Sequence, residues 1–139
     1  MMVPSMTRSE LKAACLALLD RAAVEHPAGH QGKMAARYVL RAGSNERIGL
    51  MFEKSEKTKA YLWIERRFAH GLVSRDIDHR CYPANELYKA AKEGEKPAYG
   101  RHAGLKAMRD LANADLVRFE IVRLEQLKTI LSILASPSA

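Results

Sequence analysis

Arg47-Ile48-Gly49-Leu50-Met51-Phe52-Glu53-Lys54 and Lys59-Ala60-Tyr61-Leu62-Trp63-Ile64-Glu65 decide the fold, with the polar stretch Ser55-Glu56-Lys57-Thr58 between them. In the first, Ile48, Leu50 and Phe52 share one side, and Arg47, Met51 and Glu53 share the other. In the second, Ala60, Leu62 and Ile64 lie opposite Tyr61, Trp63 and Glu65. Successive side chains of an extended chain point to opposite faces, so a period of two marks half-buried strands. Just upstream, Arg37-Tyr38-Val39-Leu40-Arg41 reads as a shorter strand closed by the turn residues Gly43-Ser44-Asn45. Short connections between such strands make an antiparallel meander, with one face buried and one open to water or a partner.

Working outward, Thr7-Arg8-Ser9-Glu10 has the form of a capping box, whose side chains satisfy free N–H groups at a helix start. Leu11, Ala14, Cys15, Leu18 and Ala22 then recur at helical spacing, and Pro27 and Gly29 stop the helix near Glu25. Toward the other end, Val117, Phe119 and Ile121 alternate with Arg118 and Glu120 as a strand. Leu124, Leu127, Ile130, Leu131 and Leu134 follow as an amphipathic helix. Between these, Leu87, Tyr88 and Ala91 are spaced for a short helix over 84–92, and Leu105, Met108 and Leu111 for a further helical turn or two. The expected architecture is α+β, a mainly antiparallel sheet of about four strands. It comprises the meander of three and a C-terminal strand, with the N-terminal and C-terminal helices packed on one face. The expected organisation is a tail over 1–6, a single domain over 7–135 and a tail over 136–139.

A chain of 139 residues, 47% hydrophobic, has the length of a single domain and enough apolar side chains for a core. No apolar run approaches the roughly 20 residues of a membrane span. The start of the chain lacks the pattern of a signal peptide, and the two cysteines, Cys15 and Cys81, form no C-x-x-C pair. The expected setting is therefore reducing and cytoplasmic.

The net charge is +7, unevenly distributed. Residues 31–67 carry nine basic and four acidic groups and residues 96–139 seven and four, whereas the remaining stretches are close to neutral. A fold that joins the two cationic stretches would attract polyanions by Coulomb force and counterion release. Dispersed, the same charges form only a solubilising surface.

The candidate binding residues follow from this. Tyr61 and Trp63 occupy one strand face, flanked by Lys57, Lys59, Arg66 and Arg67. Aromatic rings there would stack bases while cations meet phosphates; the alternative is that Trp63 packs beneath a helix. A second basic segment supplies Arg101, Lys106 and Arg109, placed for phosphate contact or for a solvated helix face.

Catalytic candidates are sparser. Asp76-Ile77-Asp78-His79-Arg80-Cys81 combines carboxylates, imidazole and thiol, donors able to hold a divalent metal. Its Asp-His pair resembles one element of the ββα-metal nucleases, in which such a histidine activates water, a likeness confined to that dipeptide. His102 is a lone candidate acid or base. His26 and His30 are four apart, but Pro27 and Gly29 make that segment a turn rather than a helix. No phosphate-binding glycine loop and no G-x-S-x-G elbow occurs, and no cofactor or bound metal is expected.

The first expectation is a nonenzymatic nucleic-acid-binding module, accessory to a larger machine, with DNA or RNA as partner. The second is an inhibitor-like or immunity-like protein covering an acidic partner surface. The third is a metal-dependent nuclease built on Asp76, Asp78 and His79. A homodimer contact through the last helix is a further option, should its apolar face be wider than the sheet beneath it.

Overall fold

The computed structural model describes residues 6–27, 29, 34–42, 46–55, 57–69, 71–72, 77–84, 88–89, 98–99 and 101–135. Helix α1 (Arg8–Ala22) starts at the expected capping box, where Thr7 Oγ1 accepts from the Glu10 amide and Glu10 Oε1 accepts from the Thr7 amide, both at 3.1 Å. It ends three residues earlier than the spacing suggests, because Val24–Glu25 leaves the helix to form β1. The buried stripe is Leu11, Cys15 and Leu19, so the helix is turned slightly from the expected face and Ala22 stays exposed.

The strands follow as β2 (Ala35–Arg41), β3 (Arg47–Glu53), β4 (Tyr61–Glu65), β5 (His79–Tyr82), β6 (Tyr88–Lys89), β7 (Ala98–Tyr99) and β8 (Leu116–Glu120), and helix α3 (Leu124–Ala135) closes the order. One antiparallel six-stranded sheet runs β1-β2-β3-β4-β8-β5. Its centre is the expected meander and C-terminal strand; the edges β1 and β5 are additions the alternation did not reveal. Instead of a helix over 84–92, Tyr88–Lys89 pairs with Ala98–Tyr99 in a separate two-stranded sheet. Leu87 and Ala91 lie outside the described residues.

The first face of the sheet presents Tyr38, Leu40, Ile48, Leu50, Phe52, Leu62, Ile64, Val117 and Phe119 to α1 and α3, all buried. Leu127, Ile130, Leu131 and Leu134 of α3 are buried in this core, so the stripe considered for dimerisation packs within the chain. Gln126 Oε1 accepts from the Val122 and Arg123 amides at 2.8 and 3.2 Å, satisfying donors left over at the helix start. Each such side chain withdrawn from water stabilises the fold by roughly 1.5–3 kcal/mol before entropy is counted.

The second face is not open. The 3₁₀ turn Ala103–Ala107 and the short helix α2 (Arg109–Ala112) lie across it. Leu105, Met108 and Leu111 are buried there against Ala35, Met51, Trp63 and Leu116, a second and smaller core. The reason is visible in the strands. Met51, Trp63 and Leu116 put three large apolar side chains on the face that also carries the charges, and water is a poor neighbour for all three. Among the described residues, no helix is long and apolar enough to cross a membrane.

Candidate functional site

Strand register builds the site. Arg37 pairs with Met51, Met51 with Trp63, Trp63 with Arg118 and Arg118 with Arg80, one row running across β2, β3, β4, β8 and β5 on the second face. Residues 101–112 cover the Met51 and Trp63 part of the row and leave its β8–β5 end uncapped. There Glu53, Trp63, Arg80, Tyr82, Arg101, His102 and Arg118 line a cavity of about 290 Å³.

Arg80 and Arg118 sit directly opposite each other on neighbouring strands. Like charges in that position repel and destabilise a sheet by a few tenths of a kcal/mol or more. Neither is neutralised locally, because among the described residues no carboxylate lies within ion-pair distance of Arg80, Arg101 or Arg118. Aromatic faces hold the guanidiniums instead. Arg118 lies 3.9 Å from the Tyr61 ring centroid and 5.4 Å from that of Tyr82, and Arg80 lies 4.9 Å from Tyr82. A ring face attracts a cation without consuming its charge.

Arg101 lines the cavity and is its most buried arginine, only 6% exposed. Its Nη1 donates to the Leu111 and Ala112 carbonyls at 3.3 and 3.2 Å, and its Nη2 to the Tyr82 carbonyl at 2.6 Å. The Nε atoms of Arg101 and Arg118 are buried with no hydrogen-bond partner. An unpaired donor on a buried charged group costs on the order of 1–3 kcal/mol, and natural folds keep few of them.

Two further groups complete the lining. Glu53, 4% exposed, accepts from the Trp63 indole through Oε2 at 2.8 Å. His102 Nδ1 accepts from the Gly104 amide at 2.9 Å, so the proton of the neutral ring resides on Nε2, which faces Glu53 Oε1 at 4.0 Å. Burial holds the His102 pKa below the ordinary imidazole value; Glu53 opposes this shift, and Arg37 and Lys12 add to it. With His102 neutral, three guanidiniums and one carboxylate leave the lining with two units of positive charge.

The residues proposed from sequence distribute as follows. Trp63 and Arg101 line this cavity, and Tyr61 borders it beneath Arg118. Trp63 is 2% exposed, so its indole offers no stacking platform for a base. Lys57 and Lys59 lie near the start of β4, where Lys59 pairs with Glu120 at 3.4 Å. Arg66 and Arg67 lie beyond the other end of β4, and Arg67 is engaged by Glu65 at 3.0 Å and Glu46 at 3.2 Å. Lys106 is exposed on the covering segment, and Arg109 borders a different cleft. The cationic stretches therefore do not merge into one broad surface around Tyr61 and Trp63. Of the three arginines that line the cavity, Arg101 and Arg118 both come from 96–139 and Arg80 from the near-neutral stretch between the two, so no cation of 31–67 is part of the lining.

Of that cluster, Asp76 lies outside the described residues. Asp78 is exposed, and His79 is exposed with its Nδ1 3.1 Å from the Ile77 carbonyl oxygen. Among the described residues, no group of three or more His, Cys, Asp or Glu side chains is placed to share a metal. Alternation along β5 also separates His79 and Cys81 from Arg80 and Tyr82, which face the cavity.

A second cleft lies between the β2–β3 part of the sheet and α2, bordered by His26, Val39, Arg47, Gly49, Arg109 and Asp110. His26 sits in the expected turn, whose Gly29 has a φ of 75° that favours glycine. Its Nε2 lies 3.1 Å from Asp110 Oδ1. The same carboxylate sits over Gly49, where any Cβ would be 2.1 Å from Asp110 Oδ2. Glycine at this position lets α2 approach the sheet.

No family model matches this chain. No curated protein and no solved structure matches it either.

Proposed function

We propose that the chain is a nonenzymatic nucleic-acid-binding module and that a strand phosphate meets Arg80, Arg101 and Arg118. The observation that carries this reading is the cross-strand Arg80–Arg118 pair, which shares its cavity with a third arginine and, among the described residues, has no carboxylate within ion-pair distance. Such an arrangement costs stability in the empty protein and is offset when an anion enters, because guanidinium forks match phosphate oxygens in geometry and charge. The net charge of +7 favours encounter with a polyanion. Base stacking on Trp63 plays no part, so the contact is to the backbone and tolerant of sequence.

The test is fluorescence anisotropy with mixed-sequence single-stranded DNA, single-stranded RNA and duplex DNA across a salt series. Affinity falls linearly on a log–log plot, and Arg80→Gln and Arg118→Gln each flatten the slope by about one unit. Absence of binding at low salt overturns the proposal, as do variants that bind like the wild type. Arg67→Gln serves as a comparison with a smaller expected effect, since Glu65 and Glu46 already engage that side chain.

A further inference from the structure

Building on that reading, we infer that the cavity accepts a phosphate monoester, the group at the end of a strand, in preference to the internal diesters. Charge and depth both point there. The lining carries two positive charges in excess, from Arg80, Arg101 and Arg118 against Glu53. An internal diester brings one negative charge, whereas a monoester at neutral pH brings about 1.5 to 2. Only the monoester matches the excess, and it adds an oxygen acceptor for a site rich in donors.

Depth adds the second argument. Exposure falls from Arg80, which is exposed, through Arg118, which is half-buried, to Arg101, which is 6% exposed. An internal phosphate continues into sugar on both sides and meets the outer guanidiniums first. A terminal phosphate has one ester arm and three remaining oxygens, so it reaches inward with that arm trailing toward the mouth. The Nε2–H of His102 adds a neutral donor along the same wall. Glu53, which also lines the cavity, accepts from the Trp63 indole with one oxygen and faces His102 with the other.

The same chemistry is found in a strand end and in a free mononucleotide, and the experiment separates them. One oligonucleotide is prepared with a 5′-phosphate, a 3′-phosphate or hydroxyls at both ends, and binding of each to the full chain is measured by anisotropy at fixed salt. At least one phosphorylated form binds about tenfold tighter than the hydroxyl form, the scale of one charge-assisted contact. Arg118→Gln brings that ratio close to one, and thermal melting confirms that the variant remains folded. A nucleoside monophosphate competes at micromolar concentration if the free compound is the ligand, and only at millimolar concentration if the strand contributes the remaining affinity. Equal binding of all three forms overturns the inference while leaving the nucleic-acid reading standing. Failure of all three to bind at low salt removes both. The comparison of ends in the wild-type chain needs no variant, so a misfolded substitution cannot decide it.

Discussion

Replacing Gly49 by alanine tests how the covering segment is seated on the sheet. The glycine lies inside β3, with a backbone that alanine can adopt, so by entropy alone Gly49→Ala would stabilise the chain by about 0.4–1 kcal/mol. Geometry opposes this. The added methyl would lie 2.1 Å from Asp110 Oδ2 and 3.0 Å from Asp110 Cγ. Both distances are too short, and the Cγ contact means that rotation of the carboxylate about its last bond gives no relief. Swinging the whole side chain out breaks the 3.1 Å contact with His26, a loss of about 0–1 kcal/mol for a partly exposed pair. Lifting α2 instead disturbs Leu105, Met108 and Leu111, an overpacking cost of about 1–3 kcal/mol. The chain takes the cheaper path, so the lost contact roughly offsets the entropic gain and the net change stays within about 1 kcal/mol of zero, read by urea denaturation. The decisive comparison is the double variant. In an Asp110→Ala background the obstacle is gone and Gly49→Ala stabilises by the full entropic gain of about 0.4–1 kcal/mol. If the glycine substitution has the same effect in both backgrounds, the carboxylate is not what the glycine accommodates, and the account of this cleft is wrong.

Two further outcomes follow from buried polar groups. Trp63→Phe removes the indole donor from Glu53, and Glu53→Leu removes the acceptor; a double-mutant cycle on stability should give a coupling of about 1.5–3 kcal/mol, the range for a buried hydrogen bond to a charged group, whereas additive losses would show that the 2.8 Å contact carries no energy. The two thiols should also separate. Burial raises the Cys15 pKa to about 11, whereas Cys81 is exposed. At pH 8 a disulfide reagent should therefore modify one thiol per native chain and two after denaturation. The unfolded thiol ionises near pH 9 while the folded one stays protonated to about pH 11, so this group's contribution to stability falls across that window and is intact below it. Rapid modification of both thiols in the native protein would contradict the burial of α1 on the sheet.

The parts of the fold legible in the sequence were those in which one physical signal dominated. Thr7 and Glu10 specify a helix start by local hydrogen bonding, and the alternation of Ile48, Leu50 and Phe52 against charged neighbours specifies a strand. Edge strands gave no such signal. His79–Tyr82 has no apolar alternation because none of its four residues is buried on either side of β5, and β1 is only two residues long. Around Tyr88, helical spacing lost to a pairing with Ala98–Tyr99, a contact that no local pattern encodes. The covered second face did leave a trace: Met51 and Trp63 break the polar character of their side of the sheet, and Leu105, Met108 and Leu111 are an apolar set needing a surface. Matching the two would have placed residues 101–112 over the indole. The cavity was less accessible, because the Arg80–Arg118 opposition depends on β5 joining β8, and register between distant strands is set by the assembled sheet.

Arg101 has a second job beyond its charge. By donating to carbonyls at Leu111, Ala112 and Tyr82, it rivets the covering segment to the outermost strand. Whatever the cavity receives can thus be retuned only from its outer ring. Exchanging Arg80 or Arg118 alters selectivity on a standing scaffold, whereas exchanging Arg101 loosens the joinery between the covering segment and that strand.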